Sequence, residues 1–171
     1  SVVHQDVFLF HGTIAFNIGL SRPNIDREAI ERAAKYVHAE KFIRGLEGGY
    51  DFVVAHGGGN LSAGQRQLIA FARAVVAKTE LIVLDEATSS VDSMTEHAIE
   101  LALSRLYRER TVIAIAHRLS TIRMADQILV MEAGQVAEVG SHATLMGREG
   151  TYAALIHGLE ENAEAKLSLI H

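Results

Sequence analysis

Two adjacent carboxylates, Asp85 and Glu86, end the short apolar run Leu81–Leu84. Such a run predicts a buried strand, and successive side chains on a strand point to opposite faces, so the two acids can serve different tasks. One can hold Mg²⁺, an ion that keeps several of its water ligands, while the other faces an attacking water molecule. Taken alone, the pattern is equally typical of a strand end where polar side chains meet solvent.

The stretch Leu61-Ser62-Ala63-Gly64-Gln65 has the composition of an anion site at the start of a helix. Ser62 is a candidate N-cap residue, and Gly64 lets backbone approach a ligand closely. The N-terminus of a helix carries partial positive charge and free N–H groups, which favour phosphate. An ordinary helix cap after a glycine loop would produce the same local pattern.

Two further polar residues follow apolar runs. His117 comes after Thr111–Ala116 and can donate a hydrogen bond to a phosphate oxygen. Gln5 comes after Val2-Val3 and can bind Mg²⁺ through its carbonyl or contact a water molecule. Each of these residues, by itself, also has a structural explanation. The other histidines lack metal-binding spacings, so we expect no histidine-bound metal.

The first third of the chain predicts helices that would position the Ser62 segment. Apolar spacing and a candidate cap at Asp26 predict a helix over residues 26–38, with Ile30, Ala33, Ala34 and Val37 on its buried face. A short helix or turn is predicted over 13–19, and helices are predicted over 39–46 and 63–77, with a glycine-rich break at 57–60. We therefore predict an all-helical insert in this region.

The remainder alternates apolar runs with helical patterns, which predicts parallel strands covered on both faces. An amphipathic helix over 93–107 separates the runs at 81–84 and 111–116. A hairpin follows, with strands at 127–131 and 135–139 around Glu132-Ala133-Gly134, where Gly134 can adopt positive φ. Two closing helices are predicted near 141–147 and 150–160, while 163–171 have no assignment. The fold class is therefore α/β.

Composition limits the classes of function. The 171 residues suit one domain, and the net charge of −5 argues against a nucleic-acid-binding surface. The absence of cysteine excludes disulfides and thiolate-metal sites. No apolar run reaches the length of a membrane span, so we expect the fragment itself to be soluble. The first residue is not Met, which we interpret as a piece cut from a longer protein.

Taken in order, these segments resemble the nucleotide-binding domain of ATP-binding-cassette (ABC) transporters along essentially the whole chain. The phrases DEATSSVD and AHRLSTI resemble the exporter branch in particular. Single motifs are weak, but five in the right order are specific. The five are the Q-loop at Val3-His4-Gln5-Asp6, the signature motif at Leu61–Gln65 extended by Arg66-Gln67, Walker B at Leu81–Glu86, the D-loop at Ser89-Ser90-Val91-Asp92 and the switch histidine at Ala116-His117-Arg118.

The resemblance implies a P-loop NTPase-like (RecA-like) fold: a parallel sheet with an inserted α-helical subdomain over about 13–77. The core and C-terminal helices would occupy about 78–160. The N-terminal strands would be missing, including the Walker A strand that lies in the middle of the family's sheet. Its loss would separate the strand at 127–131 from the pair at 81–84 and 111–116.

The resemblance also implies roles for individual residues, with ATP and Mg²⁺ as cofactors. Asp85 and Gln5 would organise Mg²⁺, Glu86 would act as general base, and His117 would contact the γ-phosphate. Gln5 would also link that phosphate to the membrane domains. Residues of the signature and D-loop would act at the partner's ATP or across the dimer interface: Ser62, Gly64, Gln65 and Asp92.

A second nucleotide-binding domain, forming a homo- or heterodimer, and the transmembrane domains are the implied partners, at the cytoplasmic face of the cell membrane. Three departures from the family pattern stand out. No G-x-x-x-x-G-K-[ST] phosphate loop occurs in the sequence, Ala63 stands where glycine is commonest, and His56 stands where exporters usually carry an acid. The transported substrate is not encoded in these residues.

Other interpretations remain open. The chain could be a truncated, non-hydrolytic module that only dimerises or binds partners, because the phosphate loop is absent. A chromosome-structure or DNA-repair ATPase shares the signature, but such proteins separate their halves by long coiled coils, and no sustained heptads occur between Gln5 and Leu61. A soluble import ATPase is closer, although the two phrases quoted above favour an exporter.

Overall fold

The computed structural model describes residues 1–4, 6–85, 92–116 and 119–168, with only the backbone at 93, 120 and 160–168. They form two compact units, Ser1–Ile115 and Ala116–His171. The strands are β1 (Val2–Val3), β2 (Gly12–Thr13), β3 (Val53–Val54), β4 (Leu81–Asp85), β5 (Thr111–Ile115), β6 (Ile128–Glu132) and β7 (Gln135–Gly140). The helices are α1 (Ile14–Gly19), α2 (Arg27–Tyr36), α3 (Glu40–Gly45), α4 (Ala63–Val76), α5 (Ser93–Glu109), α6 (Leu119–Met124), α7 (His142–Met146) and α8 (Thr151–Ser168).

The first unit contains a three-stranded parallel sheet in the order β1-β4-β5. Val3 pairs with Leu84, and Asp85 pairs with Ile115. The predicted parallel pairing is therefore confirmed, and its register brings the carboxyl ends of all three strands to one edge of the sheet. In such sheets, ligands bind outside the carboxyl ends of the strands.

The expectation that these strands are covered on both faces is wrong for β5. Ile113 and Ile115 are each 56% exposed, whereas the alternate residues Val112 and Ala114 pack against the core. The physical reason is the two-residue period of a strand, which presents one set of side chains to the core and the other set to the opposite face. An apolar run therefore did not imply two covered faces here.

The predicted helices of the first third are confirmed to within about two residues, the usual uncertainty of helix ends. Asp26 caps α2 by accepting a hydrogen bond from the Ala29 N–H at 2.7 Å. The buried face of α2 holds the predicted Ile30, Ala33 and Ala34. Capping signals are local in sequence, which is why the start of this helix could be predicted.

The prediction of an all-helical insert is wrong, because β2 pairs antiparallel with β3 between Gly12–Thr13 and Val53–Val54. Two-residue strands are too short to show an alternating pattern in the sequence. The pairing brings the segment before α1 beside the glycine-rich loop that precedes α4. The predicted boundary between the two subdomains, near residue 77, remains a prediction.

The hairpin of the second unit, β6–β7, forms a two-stranded sheet of its own. Its turn contains only Ala133 and Gly134, with φ of 48° and 79°, while Glu132 belongs to the strand and pairs with Gln135. Two successive positive φ values are typical of a type I′ hairpin turn. The predicted turn was therefore one residue too long.

The sequence pattern did not predict α6, and α8 continues from Thr151 to Ser168, beyond the end predicted near residue 160. The sequence ENAEAKLS contains neither proline nor glycine, and most of its residues tolerate a helix. Among the residues that the structure describes, no helix has both the length and the apolar character needed to cross a membrane.

Candidate functional site

The signature segment forms a capping box at the start of α4. Ser62 Oγ accepts a hydrogen bond from the Gln65 N–H at 3.2 Å, and Gln65 Oε1 accepts one from the Ser62 N–H at 3.0 Å. These reciprocal bonds fix both side chains at the helix terminus. The structure therefore brings together Ser62, Gly64 and Gln65, three of the predicted ATP-binding residues.

The donors at this helix terminus fit an anionic group. The N–H groups of Ala63 and Gly64 have no acceptor within the described part of the chain. Ser62 is exposed and uses Oγ only as an acceptor in the capping box, so its hydroxyl hydrogen is free to donate. Two backbone donors, a hydroxyl donor and the helix dipole together suit a phosphate oxygen.

A hydrogen-bonded loop holds this terminus in place. Asn60 Oδ1 accepts from the Ala55 N–H, and Asn60 Nδ2 donates to the Val53 carbonyl, both at 2.9 Å. A side chain at Gly58, where φ is +78°, would collide with Arg66 at 2.6 Å from its Cδ. Asn60 and Gly58 are therefore positioning residues that sequence analysis missed, since their partners are not evident from spacing.

The carboxyl edge of the three-stranded sheet holds Asp85, a predicted Mg²⁺ ligand. Asp85 is the last residue of β4 and is partly buried. Its single carboxylate fits Mg²⁺, an ion held in proteins by one or two carboxylates plus water and substrate phosphates. The described residues contain no cluster of three or more His, Cys, Asp or Glu side chains that could hold a metal ion.

Three predicted residues, Gln5, Glu86 and His117, lie outside the described residues. The chain leaves β1 two residues before Gln5, β4 immediately before Glu86, and β5 two residues before His117. The three strands themselves end at the same edge of the sheet. No hydrogen bond among the described residues joins this edge to the Ser62 group.

Asp92 caps α5, with its Oδ1 accepting a hydrogen bond from the Thr95 N–H at 3.0 Å. Hydrogen bonds from the Thr95 backbone and then its side chain hold the pKa of Asp92 below its ordinary value. The carboxylate is exposed and therefore stays ionised in neutral solution. Its predicted role across a dimer interface remains a prediction.

Several known proteins are similar to this chain over most of its length. A protein-family model described as "ABC transporter" matches residues 1–89. An "ATP-dependent lipid A-core flippase" from Chromohalobacter salexigens is 52% identical over 155 residues, which cover 91% of this chain and 27% of that protein. A "Fatty acid ABC transporter ATP-binding/permease protein" from Mycobacterium bovis is 49% identical over 88% of this chain and 24% of its own length.

Among solved structures, a bacterial Atm1-family ABC exporter with ATP bound superposes with a TM-score of 0.83 at 41% identity. The match covers 93% of this chain and 28% of the exporter chain. This chain thus spans about a quarter of the length of the proteins that it resembles. The P-loop NTPase fold predicted from sequence is confirmed by this match.

Proposed function

Because this chain belongs to the ABC transporter family, we propose that it is part of an ATPase domain that, in the complete protein, hydrolyses ATP to drive export of a substrate across a membrane. The observation that carries the proposal is the capping box at α4, where the Ala63 and Gly64 N–H groups and the Ser62 hydroxyl hydrogen have no acceptor among the described residues. This arrangement is suited to a phosphate group brought from outside the segment.

In this proposal, the ATP sites form between two head-to-tail domains. Ser62, Gly64 and Gln65 bind the γ-phosphate of the ATP that the partner domain holds, and Asp92 signals across the interface. The donors are preorganised by the capping box, so little rearrangement is needed when charge develops on the phosphate. The partner is a second nucleotide-binding domain, identical or homologous to this one.

The remaining predicted site residues act on the ATP bound by their own domain. Asp85 and Gln5 hold Mg²⁺, which neutralises charge on the phosphates when bound. Glu86 accepts a proton from the attacking water, and His117 donates a hydrogen bond to the γ-phosphate. Most of the rate enhancement then comes from positioning and charge stabilisation, as in phosphoryl transfer generally.

We further propose that the transmembrane domains contact an aromatic patch on the first unit, at the cytoplasmic face of the membrane. The patch consists of Phe8, Phe10, Phe16 and His56. The three phenylalanines are 49%, 46% and 36% exposed, and Phe8 lies 5.3 Å from Phe10 and 5.4 Å from His56 between ring centroids. Exposed apolar groups that cluster in this way are typical of interaction surfaces.

Photo-cross-linking tests this contact. With a benzophenone-bearing phenylalanine analogue at Phe10 of the complete protein, we expect irradiation to yield adducts with the membrane-spanning part, identified by mass spectrometry. The matched control places the analogue at Leu101, which is 41% exposed on α5. Adducts confined to the nucleotide-binding domain at Phe10, or equal yields of membrane-domain adducts at both positions, would contradict the proposed contact.

A non-hydrolytic module is the alternative function, favoured by the absence of G-x-x-x-x-G-K-[ST] from the 171 residues. Under either proposal, we expect this polypeptide alone to release no phosphate from ATP above background, because that loop supplies most β- and γ-phosphate contacts in P-loop proteins. Steady phosphate release from the pure chain, abolished by Glu86→Gln, would contradict this prediction. ATP hydrolysis by the complete protein distinguishes the two functions, because the ATPase would hydrolyse ATP and the non-hydrolytic module would not.

A further inference from the structure

The segment Phe8–Phe10, which we name the strap, follows Gln5 by three residues and is held by a buried asparagine. Asn17 is fully buried. Its Oδ1 accepts a hydrogen bond from the Phe10 N–H at 2.9 Å, and its Nδ2 donates to the Phe10 carbonyl at 2.9 Å and to the Thr13 carbonyl at 3.1 Å. One side chain thus satisfies both backbone groups of Phe10, which fixes the end of the strap against α1.

Arg73, in the last turn of α4, joins the same network from the other side. Its Nε donates to the Asn17 carbonyl at 2.9 Å, and its Nη1 and Nη2 lie 3.4 Å from the Phe8 carbonyl and 3.5 Å from Asn17 Oδ1. The guanidinium fork therefore bridges α4, α1 and the strap. These contacts connect residues 56 and 65 positions apart in the sequence.

The strap is also attached to the loop that precedes Ser62. The Gly57 N–H donates to the Leu9 carbonyl at 3.0 Å. The fully buried Leu9 side chain lies close to Gly58, where an added Cβ would be 3.2 Å from it. Two successive carbonyls of the strap therefore accept hydrogen bonds from the two ends of this region. The Phe8 carbonyl accepts from Arg73 in the last turn of α4, and the Leu9 carbonyl accepts from Gly57 in the loop before α4.

A cavity adjoins the hydrogen-bonded network on one side. Its volume is about 330 Å³, and it is lined by residues of β1 and α4, and by Phe8 and Arg73. Burial, ahead of repulsion from Arg22, lowers the pKa of Arg73. None of the ion pairs found among the described residues involves Arg73. A half-buried guanidinium without a carboxylate is costly, so an apolar side chain would serve mere packing better.

We propose that Arg73 and Asn17 are positioning residues: they fix the strap, and through it the loop before Ser62, against α4, and so hold the Ser62 terminus in the geometry that hydrolysis requires. This inference rests on the proposed ATPase function and adds a specific mechanical connection to it. Arg73 lies in the last turn of α4, a helix of 14 residues that begins immediately after Ser62 and has most of its residues buried. Neither residue needs to touch ATP.

The test uses Arg73→Met in the complete protein, which removes the three donors and keeps an unbranched apolar side chain. We expect kcat for ATP hydrolysis to fall about tenfold or more, since small misplacements of a site have such effects, while KM stays within about threefold. Arg44→Met, which removes an exposed arginine from α3, should leave both parameters unchanged. A kcat per folded Arg73→Met molecule equal to that of Arg44→Met would overturn the proposal.

A double variant separates positioning from simple stabilisation. If Arg73 acts through the Ser62 terminus, Ser62→Ala combined with Arg73→Met should lower kcat no further than the more severe single variant. Losses that multiply would overturn the proposal. If Arg73→Met does not fold, Arg73→Lys replaces it in both measurements, because one ammonium group cannot reproduce the bridging fork. The same reduction in kcat and the same non-additivity are expected, and their absence would overturn the proposal.

Glu86→Gln distinguishes failure of the strap proposal from failure of the proposed ATPase function. If Glu86→Gln abolishes hydrolysis while Arg73→Met does not affect kcat, the proposal about the strap is refuted and the proposed function stands. If the complete protein hydrolyses no ATP, or if Glu86→Gln has no effect on hydrolysis, the assigned ATPase site fails and the strap proposal fails with it.

Discussion

Glu86→Gln in the complete protein should reduce ATP turnover by about 10²–10⁴-fold, the range typical of a lost general base. ATP should still bind, because the amide keeps the size of the carboxylate and removes only its basicity. The ATP-bound dimer should then accumulate, since ATP hydrolysis no longer causes it to dissociate. Phosphate release measures the first effect, and size-exclusion chromatography with ATP measures the second.

Glu80→Gln is the matched control, because Glu80 is an exposed acid immediately before the same strand, β4. We expect it to leave turnover unchanged. If Glu86→Gln left turnover within a few-fold of the unmodified protein, Glu86 would not be the base. His117 would then become the candidate for that role.

Ser62→Arg should abolish ATP-driven dimerisation while leaving the first binding of ATP to a complete domain nearly unchanged. The substitution places a bulky cation where a small hydroxyl group caps α4. Loss of the cap itself costs only about 1 kcal/mol, so a folded domain is expected. Nucleotide binding and dimerisation, measured separately on the same preparation, separate these effects.

Two variants make this second prediction specific. Ser62→Asp keeps an equally good cap but adds a negative charge, which should repel the γ-phosphate and also prevent dimerisation. Ser141→Arg is the matched control, because Ser141 caps α7 in the same manner, its Oγ accepting from the Thr144 N–H at 3.3 Å. A dimer that forms normally with Ser62→Arg would contradict the proposed role of Ser62.

Local signals account for what could be predicted from the sequence. The caps at Asp26 and Ser62 act on N–H groups three residues away, so a short sequence window contains the whole interaction. The parallel pairing of β4 with β5 followed from two apolar runs separated by a helix. The five ordered motifs predicted the family, which the comparisons confirm.

Long-range hydrogen bonds account for most of what could not be predicted. Arg73 meets the backbone of Asn17 across 56 positions, and neither residue shows a pattern that identifies its partner. The β2–β3 pair was missed because two residues carry no period. The exposed face of β5 was not predicted, because the sequence shows that its side chains are apolar but not whether another part of the protein covers them.

In the proposed function, Ser62 acts in trans, on the ATP held by the partner domain. A mixed dimer with Ser62→Arg on one subunit and Glu86→Gln on the other tests this role. If Ser62 acts in trans, both lesions fall on one ATP site and the second site stays intact. If it acts in cis, each site carries one lesion.

The reference is a mixed dimer in which a single subunit carries Glu86→Gln, because it measures how strongly the two sites depend on each other. If the reference dimer retains ATP turnover, its rate is the value with which the rate of the doubly substituted dimer is compared. We predict that the doubly substituted mixed dimer hydrolyses ATP at a rate comparable to this reference. Complete loss of hydrolysis in the doubly substituted dimer, while the reference retains turnover, would contradict action in trans.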